Sequence, residues 1–153
     1  MTIMTRRAAL LAAATSLIAS RVALAAPPAI TVHKDPNCGC CGGWVDHLRA
    51  SGFQAQVFES AAVNRVKAQL GVPHELASCH TAEIAGYVIE GHVPADAITK
   101  LLSERPNVRG LAVPGMPAGS PGMGGEPEAY DVVAFAADGK TRVFGRYKAA
   151  REL

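Results

Sequence analysis

Three of the four cysteines in this 153-residue chain fall within four positions, in the stretch Asp35-Pro36-Asn37-Cys38-Gly39-Cys40-Cys41-Gly42-Gly43-Trp44. The short β-branched run Ala29-Ile30-Thr31-Val32-His33 precedes them, and Trp44, Val45 and Leu48 follow at helical spacing to about Ser51. The cluster therefore sits on a strand-to-helix turn. Asp35 or Asn37 is placed to cap the helix, and Gly52 to stop it. A helix N-terminus stabilises anions, so thiols mounted there have depressed pKa values. Adjacent Cys40 and Cys41 cannot pair without strain, and Cys38 with Cys40 is also too close. Cys38 and Cys41 have the C-x-x-C spacing that closes readily.

The remaining pattern continues as alternating strands and helices. Phe53 to Phe58 reads as a second strand, and Ala61 to Leu70 as a helix with Val63, Val66 and Leu70 on one face. Pro73 to Thr81 reads as a loop, Ile84 to Ile89 as the third strand, and Pro94 to Glu104 as a helix opening at proline. Pro106 to Pro127 is dense in Gly and Pro and is expected to be a long loop, whose two large soft side chains are Met116 and Met123. Tyr130 to Ala136 and Thr141 to Tyr147 flank Asp138-Gly139, a strong hairpin signal. The sum is an α/β domain with a mixed sheet flanked by helices. Its first half is the size of half a thioredoxin-like domain.

Residues 1–25 read as an export signal ahead of a single domain over residues 26–153. Arg6 and Arg7 start the segment, Ala8 to Ala19 is apolar but too short to anchor in a bilayer, and Ala23-Leu24-Ala25 offers small residues for cleavage. Thr5-Arg6-Arg7-Ala8-Ala9-Leu10 partly matches a twin-arginine signal, and the general secretory route is the alternative. Three of the 15 basic residues fall in this segment, leaving 12 against 13 acidic ones, a net charge of about −1. That balance gives no electrostatic case for nucleic acid, nor for a membrane surface once the signal is removed.

Crowded thiolates are soft ligands that select Cu(I), zinc or iron–sulfur centres. Zinc commonly takes two separated ligand pairs, whereas three sulfurs on one turn suit bridging of several Cu(I) ions. Cys79-His80 adds a fourth thiol and an imidazole, and Met116 and Met123 add thioethers. The metal-site residues expected from sequence are thus Cys38, Cys40, Cys41, Cys79, Met116, Met123 and His80. His33, His47, His74 and His92 are read as structural or solvated. The bland alternative for the cluster is a Cys38–Cys41 disulfide beside inert thiols.

Cys38-Gly39-Cys40-Cys41, Ser78-Cys79-His80-Thr81, Gly86-Tyr87-Val88-Ile89-Glu90-Gly91-His92-Val93-Pro94, and Gly110-Leu111-Ala112-Val113-Pro114-Gly115-Met116-Pro117 with Gly119-Ser120-Pro121-Gly122-Met123 resemble the CopG-type copper-resistance proteins. The resemblance spans about Ile30 to Tyr147. It implies a thioredoxin-like fold, a periplasmic location and copper held at the C-x-C-C cysteines. It also implies redox activity toward copper, with an electron donor or acceptor or other periplasmic copper-handling proteins as partners. By motif it carries over Cys38, Cys40, Cys41 and Cys79, with Met116 and Met123. One departure concerns the wider thioredoxin-like group. The stretch Thr81-Ala82-Glu83-Ile84 lacks the proline that many members place before their third strand, which weakens a disulfide-docking role. The competing functions are therefore a copper-binding, copper-redox protein, a thiol–disulfide oxidoreductase using Cys38 and Cys41, and a passive zinc or structural module.

Overall fold

The structure, a computed structural model, describes residues 28–153. The export segment and its arginine pair lie outside the described residues. In chain order the elements are β1 (Ile30–Lys34), α1 (Gly39–Ala50), β2 (Ala55–Glu59), α2 (Val63–Leu70), a 3-10 turn (His74–Leu76), β3 (His80–Ile84), β4 (Tyr87–Gly91), α3 (Ala95–Glu104), β5 (Gly110–Val113), β6 (Ala129–Phe135), β7 (Thr141–Lys148) and β8 (Arg151–Glu152). The strands form one sheet in the order β2-β1-β3-β4-β5-β6-β7-β8. β1 with β2 and β4 with β5 are parallel, and the other neighbours are antiparallel. This is the mixed sheet flanked by helices that the alternation of elements implies. Among the described residues no helix is long and apolar enough to cross a membrane.

Parallel neighbours need a crossover, and here the crossovers are helices: α1 joins β1 to β2, and α3 joins β4 to β5. Trp44, Val45 and Leu48 of α1 and Ile98 and Leu101 of α3 enter one core cluster with Ile30, Val32, Ile89 and Leu111. A second cluster joins Val88, Ala112 and Phe135 to Leu76 of the 3-10 turn, with Leu70 of α2 packed against it. Neighbouring residues of β4 and β5 thus go to opposite clusters, so these strands are buried on both faces and read as apolar runs. Each fully buried aliphatic such as Leu48 or Ile98 contributes about 1.5–3 kcal/mol relative to exposure.

Several sequence expectations need correction. The single strand expected over Ile84 to Ile89 is two strands, β3 and β4. They join at Ala85 and Gly86, which have φ of 49° and 87°, values suited to a tight hairpin. The loop expected over Pro73 to Thr81 contains the 3-10 turn and yields His80 and Thr81 to β3. The Gly/Pro loop expected from Pro106 begins only after β5, a fully buried strand in the middle of the sheet. Gly110 opens that strand because a Cβ there would collide with the Val88 carbonyl. β8 was not foreseen. The expected helix cap is also wrong. Cys38 occupies the N-cap of α1 with no side-chain cap bond, while Asp35 Oδ1 accepts the Asn37 N–H at 2.8 Å and shapes the turn.

Candidate metal centre

The turn after β1 places Cys38 at the N-cap of α1 and Cys40 and Cys41 in its first turn. Residues three apart on a helix start face each other. Cys38 and Cys41 are accordingly joined by a disulfide, with Sγ–Sγ 2.11 Å. Cys41 is fully buried, and Cys38 and Cys40 are half-buried. Cys40 remains a free thiol, its Sγ 3.5 Å from Cys38 Sγ and 3.9 Å from Cys79 Sγ. The wall of thiolates expected from the motif exists here as one disulfide and two thiols.

Sheet register explains how residue 79 reaches residues 38–41. β3 runs antiparallel to β1 with His80 opposite Lys34, so the start of β3 lies beside the end of β1. β4 returns along β3 with Glu90 opposite Thr81, and this brings His92 back to Cys79. Cys79 Sγ lies 3.3 Å from His80 Nδ1 and 3.2 Å from His92 Nε2. Cys79 therefore belongs to two groups of ligand atoms, Cys38/Cys40/Cys41/Cys79 and Cys79/His80/His92, each with all atoms within 4.8 Å of one another.

The imidazoles are held in their neutral form. His92 Nδ1 lies 2.7 Å from the Pro121 carbonyl. A carbonyl only accepts, so Nδ1 carries the proton and the Nε2 lone pair faces Cys79. Burial keeps His92 below the usual histidine range, opposed by that carbonyl bond. Burial, then the neighbouring His92 and Lys67, depress His80 to about 3. Its ring packs 4.3 Å from that of Trp44, and its Nε2 is buried without a hydrogen-bond partner. Burial pushes the Cys79 thiol up to about 11, partly offset by a hydrogen bond from Ser78. Two neutral imidazoles, one with an orphaned nitrogen, beside the Cys79 thiol, which burial keeps protonated until a cation approaches, and the free thiol of Cys40 form a donor set that fits a soft metal ion.

Two supports hold this nook. Glu90 Oε1 accepts from Lys67 Nζ at 2.7 Å and from the Ser78 N–H at 2.5 Å, and both charged side chains are buried. The pair thereby fixes the peptide immediately before Cys79. Burial pushes the Glu90 carboxyl up, with Lys67 opposing. On the other side the Gly/Pro loop presses against α1. Gly122 has φ of 86°, and a Cβ there would stand 2.9 Å from the Cys40 carbonyl and strike the Trp44 amide. Two further bonds tie α1 to the segment after His92. Trp44 Nε1–H donates to the Val93 carbonyl at 2.8 Å, and the Ala95 N–H donates to His47 Nε2 at 3.0 Å.

Of the residues expected from sequence, Cys38, Cys40, Cys41, Cys79 and His80 are brought together. Met123 is half-buried and directly follows the Gly122 that touches α1, whereas Met116 stands at the surface, 42% exposed. His47 is structural, as expected, and serves the start of α3. His33 stacks on Phe58 with ring centroids 5.8 Å apart, and His74 lies exposed in the 3-10 turn. His92 was missed as a donor. It lies inside the Gly86-to-Pro94 motif, but what makes it a donor is the pairing of β4 with the strand of His80, which that motif alone does not reveal.

Comparison with known proteins bears on the same residues. A family model described as "Protein of unknown function, DUF411" matches residues 76–123, a span that holds Cys79, His80 and His92 but not the C-x-C-C turn. Two solved structures, "Copper resistance protein copG" in Form 1 and Form 2, are each 50% identical to this chain with a TM-score of 0.74. The match covers 79% of this chain and 98% of each of theirs. No curated protein matches it.

Proposed function

The chain belongs to the CopG copper-resistance proteins, and from that premise we propose that it binds Cu(I) in the periplasm through a polynuclear site centred on Cys79. The observation that carries this reading is the double membership of Cys79. Its sulfur stands 3.9 Å from the Cys40 thiol and 3.2 Å from the free lone pair of His92. Cys40, Cys79, His80 and His92 are donors in the form described, and reduction of Cys38–Cys41 adds two more thiolates. Thiolate and imidazole sets of this kind suit Cu(I). Met123, and with less structural support Met116, would add thioethers from the covering loop. The order β2-β1-β3-β4, with a helix following β1, supports a thioredoxin-like core. The resemblance to the copper-resistance proteins extends the proposal to copper that changes oxidation state against an electron partner. Export rests on residues 1–25. Replacing Arg6 and Arg7 with Lys should block it if the twin-arginine route is used, and undiminished periplasmic yield would exclude that route.

The binding reading is tested by loading the reduced protein with Cu(I) without oxygen and counting metal and thiols. Cys79→Ser should weaken binding by more than the roughly 10–100-fold typical of losing a residue behind a ligand. Unchanged copper retention in Cys79→Ser and in the Cys38/Cys40/Cys41→Ser triple variant would overturn it. A second reading, thiol–disulfide exchange with other molecules, is favoured by the Cys38–Cys41 disulfide at a helix start. It requires turnover of a disulfide substrate by metal-free protein, and inactivity there would remove it.

A further inference from the structure

Two of the four clustered sulfurs are bonded to each other and two are free thiols. The free thiol of Cys40 is the intermediate member of the set. It lies 3.5 Å from one sulfur of the disulfide, that of Cys38, and 3.9 Å from the remaining thiol, that of Cys79. We propose that the disulfide migrates within the molecule, passing through Cys40 from the Cys38–Cys41 pair to a Cys40–Cys79 pair.

Exchange proceeds by attack of a thiolate on a disulfide sulfur. In the first step Cys40 loses its proton and its sulfur attacks Cys38 Sγ. The Cys38–Cys41 bond breaks, a Cys38–Cys40 bond forms, and Cys41 leaves as a thiolate that takes up a proton. In the second step Cys79 loses its proton and attacks Cys40 Sγ. The Cys38–Cys40 bond breaks, the Cys40–Cys79 bond forms, and Cys38 leaves and is protonated. One disulfide and two thiols are present before and after, and no electron enters or leaves. The C-x-C bridge has cramped geometry, which makes it a transient intermediate and not a resting state. Each attack starts within 4 Å and ends at the bonded separation of about 2.05 Å, so displacements of about 2 Å suffice.

The end state differs from the start in reach. Cys38–Cys41 closes a single helical turn, whereas Cys40–Cys79 would bolt the start of α1 to the start of β3. It would return Cys38 and Cys41 as a free C-x-x-C dithiol without an external reductant. The inference concerns metal-free protein and needs no outside substrate, so it stands or falls separately from the two readings above.

Trypsin makes the two states easy to separate. It releases residues 35–49, which carry Cys38, Cys40 and Cys41, and residues 68–100, which carry Cys79. The full chain, stripped of metal and reduced, is treated with one equivalent of oxidised glutathione and equilibrated without oxygen. The monomer is then isolated, alkylated, digested and analysed by mass spectrometry. The one-disulfide protein should yield the 35–49 peptide with an internal bridge and also a species joining 35–49 to 68–100. In Cys40→Ser the joined species should disappear while the internally bridged peptide persists, which also shows that the variant retains its turn. A wild-type chain that yields only the internal bridge at every time of equilibration overturns the proposal. So does a joined species undiminished in Cys40→Ser.

Discussion

The turn bearing Cys38, Cys40 and Cys41 and the nook bearing Cys79, His80 and His92 approach within 3.9 Å and are built by opposite means. The turn is local. Its geometry follows from residues three apart at the start of one helix, and it is half open to solvent. The nook is assembled from the beginning of β3, the segment after β4 and a carbonyl from the Gly/Pro loop. Its histidines are fully buried and neutral, its cysteine is half-buried, and a charged pair beneath it fixes the peptide before Cys79. Three of the four sulfurs in the proposed exchange sit on the local half, and the fourth, Cys79, sits on the other. The imidazoles proposed as donors sit on the half that the tertiary structure defines.

The largest effect should come from undoing the support that only the nook uses. Glu90→Leu removes the acceptor of the Ser78 N–H and leaves Lys67 buried without its partner. A stability loss of about 3–5 kcal/mol in urea denaturation is expected. Glu90→Gln keeps a carbonyl for Ser78 and should lose less. The Cys38–Cys41 bridge should form in both variants, and its failure to form would mean that the two halves are not built separately. Gly122→Ala attacks the seam between them. It adds a Cβ against the Cys40 carbonyl at a positive φ and should cost at least about 1–3 kcal/mol, read by thermal melting. It should also speed alkylation of Cys40 as the loop leaves α1.

The smallest effect is that of pH. Burial lowers His80 and His92 of the nook, and also His47 beside the start of α3, from 6.5, so below that pH the unfolded chain binds protons that the folded one refuses. Stability should be full above 6.5 and fall as pH drops toward about 3, by of order 1 kcal/mol over the first pH unit. Cys79 acts at the other end, because its thiol is held above 9.0, to about 11. Stability should therefore decline as pH rises through that interval. Cys79→Ser should remove the part of the decline that begins near pH 9, while Tyr130 and Tyr147, whose hydroxyls burial also pushes up from 10, keep the part above pH 10. A melting temperature flat from pH 5 to 6.5 would contradict the desolvated, neutral imidazoles.

The contrast also explains what could be read from sequence. The elements β1, α1, β2, α2 and α3 and the β6–β7 hairpin follow from periodicity, Gly stops and the Asp138-Gly139 turn. The β3–β4 hairpin was hidden because its turn is Ala85-Gly86, within an apolar run, with Ala85 in a left-handed conformation its side chain does not advertise. β5 was hidden because four residues beginning with glycine, inside Gly/Pro-rich sequence, carry no alternation when both faces are buried. The C-x-C-C half of the site was legible from spacing alone. His92 was not, since its role depends on the return of β4 along β3 and on a carbonyl 29 residues away. The Lys67–Glu90 pair was equally invisible, because a lone Lys on a helix ordinarily marks a solvated face.

Adjacent loop positions 121 and 122 put different demands on the genetic code. His92 needs only the main-chain oxygen of residue 121, which any of the twenty amino acids supplies. At 122 the contact with Cys40 and Trp44 admits hydrogen alone. For these contacts, codon 121 is free to drift, while codon 122 is confined to the glycine family. A site recognised by comparing side chains would therefore register the spacer and overlook the neighbouring carbonyl that orients a ligand.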